Sequence, residues 1–238
     1  MRWRVERVAQ CASTNDVVRE RAASGEPEGL VLVAARQTAG RGRAGRAWTS
    51  PAGGLWVSIL ARPRRASESW PLLSLLAANA VAEACRQEAD LEARVKWPND
   101  VLAPDGRKLA GILAESRPPD FAILGLGVNV AVDPGAFPAE ARAASLADLA
   151  AKPVAVDAFL DALLDALAPR LEAFERGDDA ALLAEARARS ATLGRRIRTQ
   201  DGRSGYAVDI DDAGHLLLRD DAGRSITLVA DDVHLERE

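Results

Sequence analysis

Gly40-Arg41-Gly42-Arg43-Ala44-Gly45-Arg46-Ala47-Trp48 is the most informative segment of this 238-residue chain. Its three glycines formally match the G-x-G-x-x-G dinucleotide fingerprint, which needs a helix whose N-terminus faces a pyrophosphate. Here Thr49-Ser50-Pro51 and a glycine pair follow instead, and then an apolar strand, so a dinucleotide-binding fold is a poor interpretation. The G-x-x-x-x-G-K-[ST] pattern does not occur, which excludes a P-loop.

The same segment carries three arginines within six residues, Arg41, Arg43 and Arg46, without a nearby carboxylate in the sequence. Their mutual repulsion and the conformational freedom of the glycines predict a loop that is mobile when empty. An anion would cancel the repulsion and accept hydrogen bonds from the forked guanidinium groups. We therefore expect the loop to order around phosphate and carboxylate. An exposed basic loop without a partner, or one that touches nucleic acid, is the alternative.

The composition indicates a globular chain, with 48% hydrophobic and 28% charged residues. A formal net charge of -4 argues against non-specific nucleic-acid binding as the main activity. Cys11 and Cys85 match neither a metal-binding spacing nor a disulfide framework. The N-terminus lacks an apolar signal core, and no apolar run is long enough to span a bilayer. We therefore expect a cytoplasmic protein without a membrane partner.

Outward from the loop, hydrophobic periodicity predicts an α+β fold in which a mixed β-sheet packs with helices. The predicted strands are 3–9, 29–34, 55–60, 94–97, 121–132 and a hairpin of 101–102 with 109–116, and the predicted helices are 13–23, 70–88, 155–176 and 180–191. From about Leu193, alanine-rich helices give way to short alternating segments broken by glycine turns, which is the pattern of a small antiparallel barrel. We place a domain boundary near Thr192, giving domains of residues 1–192 and 193–238.

Lys96-Trp97-Pro98-Asn99-Asp100 and Lys108 are further candidates for chemistry. Asn99 and Asp100 suit an ordinary turn, or else they bind ribose, metal or phosphate, with Asp100 contacting Mg²⁺ directly or through water. Lys108 by itself is better explained as a strand-edge charge than as a cation that stabilises an oxyanion or a phosphate. Gly111 would let a ligand approach the backbone closely, and a buried Asn129 would need partners.

Taken together, these segments resemble the biotin–protein ligases. The family's ordered pattern matches Ser13-Thr14-Asn15, Gly40 to Trp48, Lys96 to Asp100, Lys108 to Leu113 and Gly125 to Asn129. The resemblance implies the biotin/lipoate ligase catalytic fold with a C-terminal SH3-like β-barrel. It also implies two steps, in which biotin and Mg·ATP give biotinyl-5'-adenylate and pyrophosphate, and a carrier lysine then takes the biotin and releases AMP.

The resemblance also implies a role for each matched residue, with Lys108 and Arg41 as the catalytic residues. The biotin site would comprise Ser13, Thr14, Asn15, Gln37, Gly40, Arg41, Gly42, Arg43, Lys108 and Gly111. The ATP and adenylate site would comprise Arg43, Arg46, Trp48, Asn99, Asp100 and Asn129, with Asp100 as a candidate Mg²⁺ contact.

The acceptor implied by the family is the biotin carboxyl carrier protein of a carboxylase such as acetyl-CoA carboxylase. Relatives can pair through edge strands near the loop, so either a monomer or a homodimer is expected. The catalytic pattern begins at about residue 13 and leaves no room for the helix-turn-helix domain of some members, so we expect no DNA binding.

Two other functions stay open from the sequence. A lipoate or octanoate ligase or transferase shares the catalytic fold, although the complete Gly-Arg-Gly-Arg loop and the β-rich C-terminus favour biotin. A non-enzymatic module that binds anions or nucleic acid through the loop predicts salt-dependent binding without ATP turnover. The acidic net charge, and Lys108 with its hairpin, weigh against that module.

Overall fold

A computed structural model describes residues 2–137, 141–229 and 231–236 of the chain. Its helices are α1 (Thr14–Ala23), α2 (Leu72–Ala89), α3 (Leu146–Leu149), α4 (Val156–Arg176) and α5 (Asp179–Ala188). Its strands are β1 (Arg4–Val8), β2 (Leu30–Ala34), β3 (Leu55–Ala61), β4 (Arg94–Lys96), β5 (Asp100–Leu102), β6 (Lys108–Arg117), β7 (Phe121–Val128), β8 (Arg196–Thr199), β9 (Ser204–Ile210), β10 (Leu216–Arg219), β11 (Ser225–Leu228) and β12 (Val233–Leu235). None of the described helices is both long and apolar enough to cross a membrane.

Strands β1 to β7 form one sheet in the order β1-β2-β3-β7-β6-β5-β4. The pair β1–β2 is parallel and the other neighbours are antiparallel, which confirms the predicted mixed sheet. Strand β3 is buried along its whole length, in keeping with its continuous apolar sequence. The register places Ser58 of β3 opposite Gly125 of β7, and Gly127 of β7 opposite Gly111 of β6. A row of small residues therefore crosses the middle of the sheet.

The two faces of this sheet are covered differently. Helices α2 and α4 contact each other and bury one face in a continuous core, because their leucines and alanines recur at helical spacing. Helix α1 covers part of the other face by burying Val18 and Ala22 against a separate cluster that includes Phe121. The small residues at 111, 125 and 127 lie on this second face, beside the N-terminus of α1. That arrangement leaves room for a pocket.

The remaining strands form an antiparallel sheet in the order β11-β10-β9-β8-β12, as the alternating C-terminal pattern predicts. Its buried side chains, among them Leu216 and Leu218, belong to the same core as α2. The Trp97 indole donates to the backbone oxygen of Gly214 at 3.0 Å, and Thr192 accepts from the Trp97 amide at 2.9 Å. The small sheet therefore gains its core by packing on the first. The boundary near Thr192 stays a prediction.

The predicted C-terminal ends of β7 and α5 are wrong, because the backbone groups that follow them form hydrogen bonds with other elements. The strand predicted to reach Val132 ends at Val128, since the following backbone pairs with the start of α3, where the Leu146 amide donates to the Asn129 oxygen at 2.9 Å. The helix predicted to reach Ala191 ends at Ala188. The Ala191 amide donates to the oxygen of Val95 at 2.8 Å, so the residues that follow the helix bridge to β4.

Candidate active site

A cavity of about 280 Å³ lies between the N-terminus of α1, the loop Gly40–Trp48 and strands β6 and β7. All predicted site residues except Gly40 line it, namely Ser13, Thr14, Asn15, Gln37, Arg41, Gly42, Arg43, Arg46, Trp48, Asn99, Asp100, Lys108, Gly111 and Asn129. The fold therefore collects residues from widely separated segments into one pocket. Site prediction missed several other lining residues, mostly apolar or small, which are Ala47, Thr49, Val57, Gly125, Leu126, Gly127, Phe137, Ala141 and Ala143.

One end of the pocket has a polar floor built at the start of α1. Gln37 Oε1 accepts hydrogen bonds from the Thr14 amide at 2.8 Å and from its hydroxyl at 3.1 Å. The Ser58 hydroxyl lies 2.7 Å from Thr14 Oγ1 and 2.5 Å from Asn15 Oδ1. Because each polar group is held by another, the floor is ordered without a ligand and can present donors and acceptors in fixed positions.

Glycines at 40 and 125 make this floor possible. A Cβ at Gly125 would collide with the Asn15 side chain, and a Cβ at Gly40 would lie 2.7 Å from the Ser50 hydroxyl. Gln37 Nε2 donates to that hydroxyl at 2.9 Å. Gly40 therefore supports the floor from behind although it does not line the cavity. The sequence signal for Gly125 was a small residue inside an otherwise apolar strand.

At the other end, the Trp48 indole lies across the paired glycines of β6 and β7. A Cβ at Gly127 would be 2.5 Å from Trp48 Nε1, and one at Gly111 would be 3.0 Å from the ring. Lys108 Nζ stands 4.9 Å from the centroid of the same ring, within cation–π range. Gly111 was expected to admit a ligand to the backbone, but the indole occupies that approach. Trp48 Nε1 is buried without a hydrogen-bond partner among the described residues.

Asp100 lies between two lysines. Lys108 Nζ is 2.6 Å from Asp100 Oδ1, and Lys96 Nζ is 3.6 Å from Oδ2. Asp100 therefore pairs with two lysines, one of which, Lys96, belongs to its own Lys-Trp-Pro-Asn-Asp segment. Lys108 side-chain exposure is 29%, so its ammonium is held by the carboxylate yet still faces the pocket. Lys108 is therefore a pocket cation rather than a solvated strand-edge charge.

Two asparagines of the pocket lining, Asn99 and Asn129, differ in their hydrogen bonding. The Asn99 side chain donates to the Ile112 oxygen at 2.8 Å, and the Asn99 backbone oxygen accepts from the Ile112 amide at 2.8 Å. Asn99, which directly precedes β5, is therefore joined to β6. Asn129 donates to the Ala144 oxygen at 3.0 Å. Its Oδ1 atom is buried and has no partner within the described part of the chain. A buried acceptor left open in a pocket indicates a donor on a ligand.

Arg41 is anchored to helix α1 by a two-pronged ion pair with Asp16, one contact of which measures 2.6 Å. Arg19 joins Asp16 to Glu115 of β6, at 2.5 Å to each carboxylate. The hydrogen bond from Arg41, followed by a weaker one from Arg19, holds the pKa of Asp16 below its ordinary value despite partial burial. The first arginine of the loop is therefore part of a charge network that ends at the pocket floor, where Asn15 donates to Glu115 at 2.7 Å.

The other two loop arginines reach the C-terminal sheet. Arg46 Nη2 is 2.7 Å from Asp232 Oδ2, and Arg43 Nη1 is 3.4 Å from the backbone oxygen of Asp231. The loop arginines therefore have carboxylate partners although none is nearby in the sequence, and the mobility of the empty loop stays a prediction. The partners come from residues that are distant in sequence, and folding brings them to the loop. Even so, all three arginines line the pocket.

Neither cysteine is placed to act as a nucleophile. Cys85 is buried in the core, and burial raises the pKa of its thiol to about 12. Cys11 is half-buried, and burial together with the Asp16 carboxylate raises the pKa of its thiol. A thiol with a raised pKa is a weak nucleophile at neutral pH. The described pocket instead offers cations, amides and hydroxyls, which bind and activate anions.

Residues 8–129 match the family described as the Biotin/lipoate A/B protein ligase family. The matched range contains every motif from Ser13 to Asn129 and spans half of the chain. The chain belongs to this family. A family member from Mycobacterium tuberculosis, named biotin--[acetyl-CoA-carboxylase] ligase, is 41% identical over 97% of this chain and 89% of its own length. The bifunctional ligase/repressor BirA of Bacillus subtilis is 36% identical over 89% of this chain and 68% of its own length.

Solved structures of biotin protein ligases extend the similarity to the whole fold. The enzyme from Aquifex aeolicus in complex with biotin and ATP superposes with a TM-score of 0.85 at 26% identity, covering 98% of this chain and 99% of that one. The enzyme from Leishmania major in complex with biotinyl-5-AMP gives a TM-score of 0.67 at 25% identity, covering 95% and 98%. The predicted α+β catalytic fold with its C-terminal β-sheet is therefore confirmed as a biotin/lipoate ligase fold.

Proposed function

We propose that this chain is an ATP-dependent biotin–protein ligase that forms biotinyl-5'-adenylate and transfers biotin to a carrier lysine. The observation that carries the proposal is the division of one pocket into a polar floor and an indole-covered wall, with Lys108 and Arg41 among its lining residues. A cation there can contact both the acid and the nucleotide. Relatives named as biotin ligases, and neighbours solved with biotin, ATP or biotinyl-5-AMP, support the same function.

The floor at the start of α1 suits the ureido head of biotin. Thr14 and Gln37 are already oriented by hydrogen bonds to each other, and Ser13 adds a hydroxyl to the pocket lining. Apolar walls from Leu113 and Leu126 fit the aliphatic tail. Within the described lining, the residues of this wall belong to β3, β6 and β7.

The other half suits the nucleotide. Asn129 Oδ1 is an acceptor without a partner, and it can receive an exocyclic or ribose donor of ATP. The Trp48 ring gives a flat surface against which adenine can pack. Arg43 and Arg46 supply the fixed positive charge that phosphates require, with Asn99 beside Arg43 at 3.4 Å.

The reaction needs two anions to approach each other, and the pocket cations lower their repulsion. In the first step a biotin carboxylate oxygen bonds to the α-phosphorus, and the α–β phosphoanhydride bond breaks to release pyrophosphate. In the second step the carrier amine bonds to the acyl carbon, the acyl–phosphate bond breaks to release AMP, and the nitrogen loses a proton. Lys108 would stabilise the charge that builds between carboxylate and α-phosphate, and Arg41 would close over the activated carboxyl.

Mg²⁺ is implied by the use of ATP, and Asp100 was the candidate contact. Both Asp100 oxygens already face lysine ammonium groups, so a metal ion would have to displace Lys108. Within the described residues, no three His, Cys, Asp or Glu side chains are grouped so that they could hold a metal. These contacts do not fit an ion resident on Asp100. We propose that Mg²⁺ arrives bound to the phosphates of ATP, and we assign it no protein ligand.

The proposed acceptor is the biotin carboxyl carrier protein of a carboxylase. Strand β6 pairs with β7 as far as Arg117, whereas its register with β5 ends at Gly111. Among the described residues, no strand pairs with the later half of β6 on that side, so this edge beside the pocket is suited to pairing with a strand of a carrier or of a second copy. Whether the chain is a monomer or a homodimer stays a prediction, as do a cytoplasmic location and the lack of DNA binding.

Acid-dependent exchange of labelled pyrophosphate into ATP tests the proposal directly, because exchange requires reversible formation of an acyl-adenylate. Biotin, lipoate and octanoate are compared at equal concentration with the full chain. Exchange with biotin alone supports the biotin ligase. Exchange with lipoate or octanoate and not with biotin would reassign the substrate. No exchange with any acid, together with salt-sensitive binding of an oligonucleotide, would make the chain a binding module.

A further inference from the structure

The ion pair between Arg46 and Asp232 joins the pocket loop to the C-terminal sheet. Arg46 Nη2 lies 2.7 Å from Asp232 Oδ2, and the two side chains are 59% and 18% exposed. Arg46 also lines the pocket. The carboxylate thus contacts a guanidinium group that faces the place where nucleotide phosphates are expected. Two anions, one built into the protein and one on the substrate, have access to the same cation.

Asp232 is the carboxylate of this segment that is available to the loop. Its neighbour Asp231 pairs through its own carboxylate with Arg203 at 3.0 Å and contributes only a backbone oxygen toward Arg43. Asp232 directly precedes β12, whose first residue Val233 is buried and paired with β8. A strand anchored in the core therefore presents the carboxylate, so that it returns to the same position whenever Arg46 is released.

We propose that Asp232 is a built-in competitor of ATP, holding Arg46 in place of a phosphate until the nucleotide displaces it. This inference rests on the proposed function, in which Arg46 meets a phosphate. The carboxylate therefore sets the affinity for ATP, and it does not act on the chemical step. When ATP binds, Arg46 exchanges one oxygen anion for another, and the C-terminal sheet loses one contact with the loop.

Competition outweighs any help that the pair gives by ordering the loop. The loop has its own backbone bonds, from the Trp48 amide to the Gly40 oxygen at 2.8 Å and from the Gly42 amide to the Arg46 oxygen at 2.7 Å. It is also anchored by the pairing of Arg41 with Asp16. Loss of one exposed ion pair therefore leaves the loop in place. What changes is that Arg46 becomes free to bind a phosphate.

Steady-state kinetics of the Asp232→Asn variant test this inference, with ATP varied at saturating biotin. Exposed ion pairs are weak, so the KM for ATP should fall by about two- to fivefold, and more at low ionic strength. The kcat and the KM for biotin should stay unchanged. Asp221→Asn is the matched control, because it removes the same charge from the same sheet, where Asp221 pairs with Arg196 at 2.6 Å and not with the loop. Its kinetics should equal those of the native chain.

Arg46→Gln and the double variant separate the inference from the function on which it rests. Arg46→Gln should raise the KM for ATP, and adding Asp232→Asn should then have no further effect. If Arg46→Gln leaves the KM for ATP unchanged, the proposed role of Arg46 fails and the competition fails with it. If Arg46→Gln raises that KM but Asp232→Asn raises it or leaves it unchanged, only the competition is overturned. A fall that persists in the double variant would also overturn it, because the pair would not be its cause.

Discussion

Replacing Gly127 with alanine tests whether the Trp48 indole forms the nucleotide half of the pocket. A Cβ at this position would lie 2.5 Å from Trp48 Nε1 and 2.7 Å from Cε2. Non-bonded heavy atoms rest about 3.5–4.0 Å apart, so the indole must retreat by roughly 1 Å or more. Gly127 lies within strand β7, where alanine is sterically acceptable to the backbone. The change therefore acts on the indole.

The size of the effect follows from how each neighbour can respond. Trp48 belongs to a loop and is only partly buried, so it can shift, and the free energy of unfolding should fall by about 1 kcal/mol, at the low end for overpacking. A misplacement of about 1 Å in a positioning group can reduce a rate by up to about 100-fold. We expect kcat/KM for ATP to fall by about 10- to 100-fold, or roughly 1.4–2.7 kcal/mol in transition-state stabilisation, while the KM for biotin changes little.

Gly125→Ala is the matched control, two residues earlier on the same strand. Its Cβ would meet the buried Asn15, which is bonded to Ser58 at 2.5 Å and cannot shift freely. This variant should raise the KM for biotin, spare the KM for ATP and lose more stability than Gly127→Ala. The assay is steady-state kinetics with each substrate varied in turn, alongside thermal unfolding. Native ATP kinetics in Gly127→Ala, or the same kinetic pattern in both variants, would refute the division of the pocket.

Three further predictions concern other parts of the molecule. Asp16→Asn keeps the shape of the side chain but removes the charge that holds Arg41, so the KM for biotin should rise about fivefold in steady-state assays, and an unchanged KM would argue against the anchor. The hydrogen bond from Arg86 lowers the pKa of Glu83 to about 2, so this stabilisation is complete above about pH 4.5 and is lost as the pH falls toward 2. Between pH 4.5 and 2, the free energy of unfolding of Glu83→Gln should therefore depend less steeply on pH than that of the native chain. The same pH dependence in both proteins would contradict the lowered pKa. Thr192→Val leaves a buried amide without its 2.9 Å acceptor, and urea denaturation should show a loss of about 1–3 kcal/mol, whereas native stability would show that the bond is dispensable.

Local features of the fold could be predicted from the sequence because they depend on neighbouring residues. The small polar residue Ser13 marks the start of α1, although its side chain makes no capping hydrogen bond, and the hairpin between β5 and β6 follows from a proline–glycine turn. The two wrong ends, at Val128 and Ala188, both depend on backbone pairing with residues from other elements. Periodicity within a segment contains no information about such partners.

The candidate site shows the same limit. The motifs identified the pocket residues, but not the partners that hold them, because Asp232 and Asp16 lie far in sequence from the arginines they bind. The sequence also could not show that Trp48 would cover Gly111 and Gly127, since this depends on the register that places the two glycines opposite each other. The identity of the side chains predicts what a site can bind. The residues that hold those side chains in place become visible only in the folded structure.

Biotin transfer to a carrier protein is measured with the native chain and with the Lys108→Ala variant. This comparison tests both the ligase function and the role of Lys108. Mass spectrometry of the carrier reports transfer, and circular dichroism reports whether the variant is folded. We expect biotinylation of one carrier lysine that requires ATP and biotin. We expect its loss in a folded Lys108→Ala variant, because the pocket then lacks the cation paired with Asp100. Transfer at the native rate by that variant would contradict the role of Lys108, and failure of the native chain to modify the carrier would contradict the function itself.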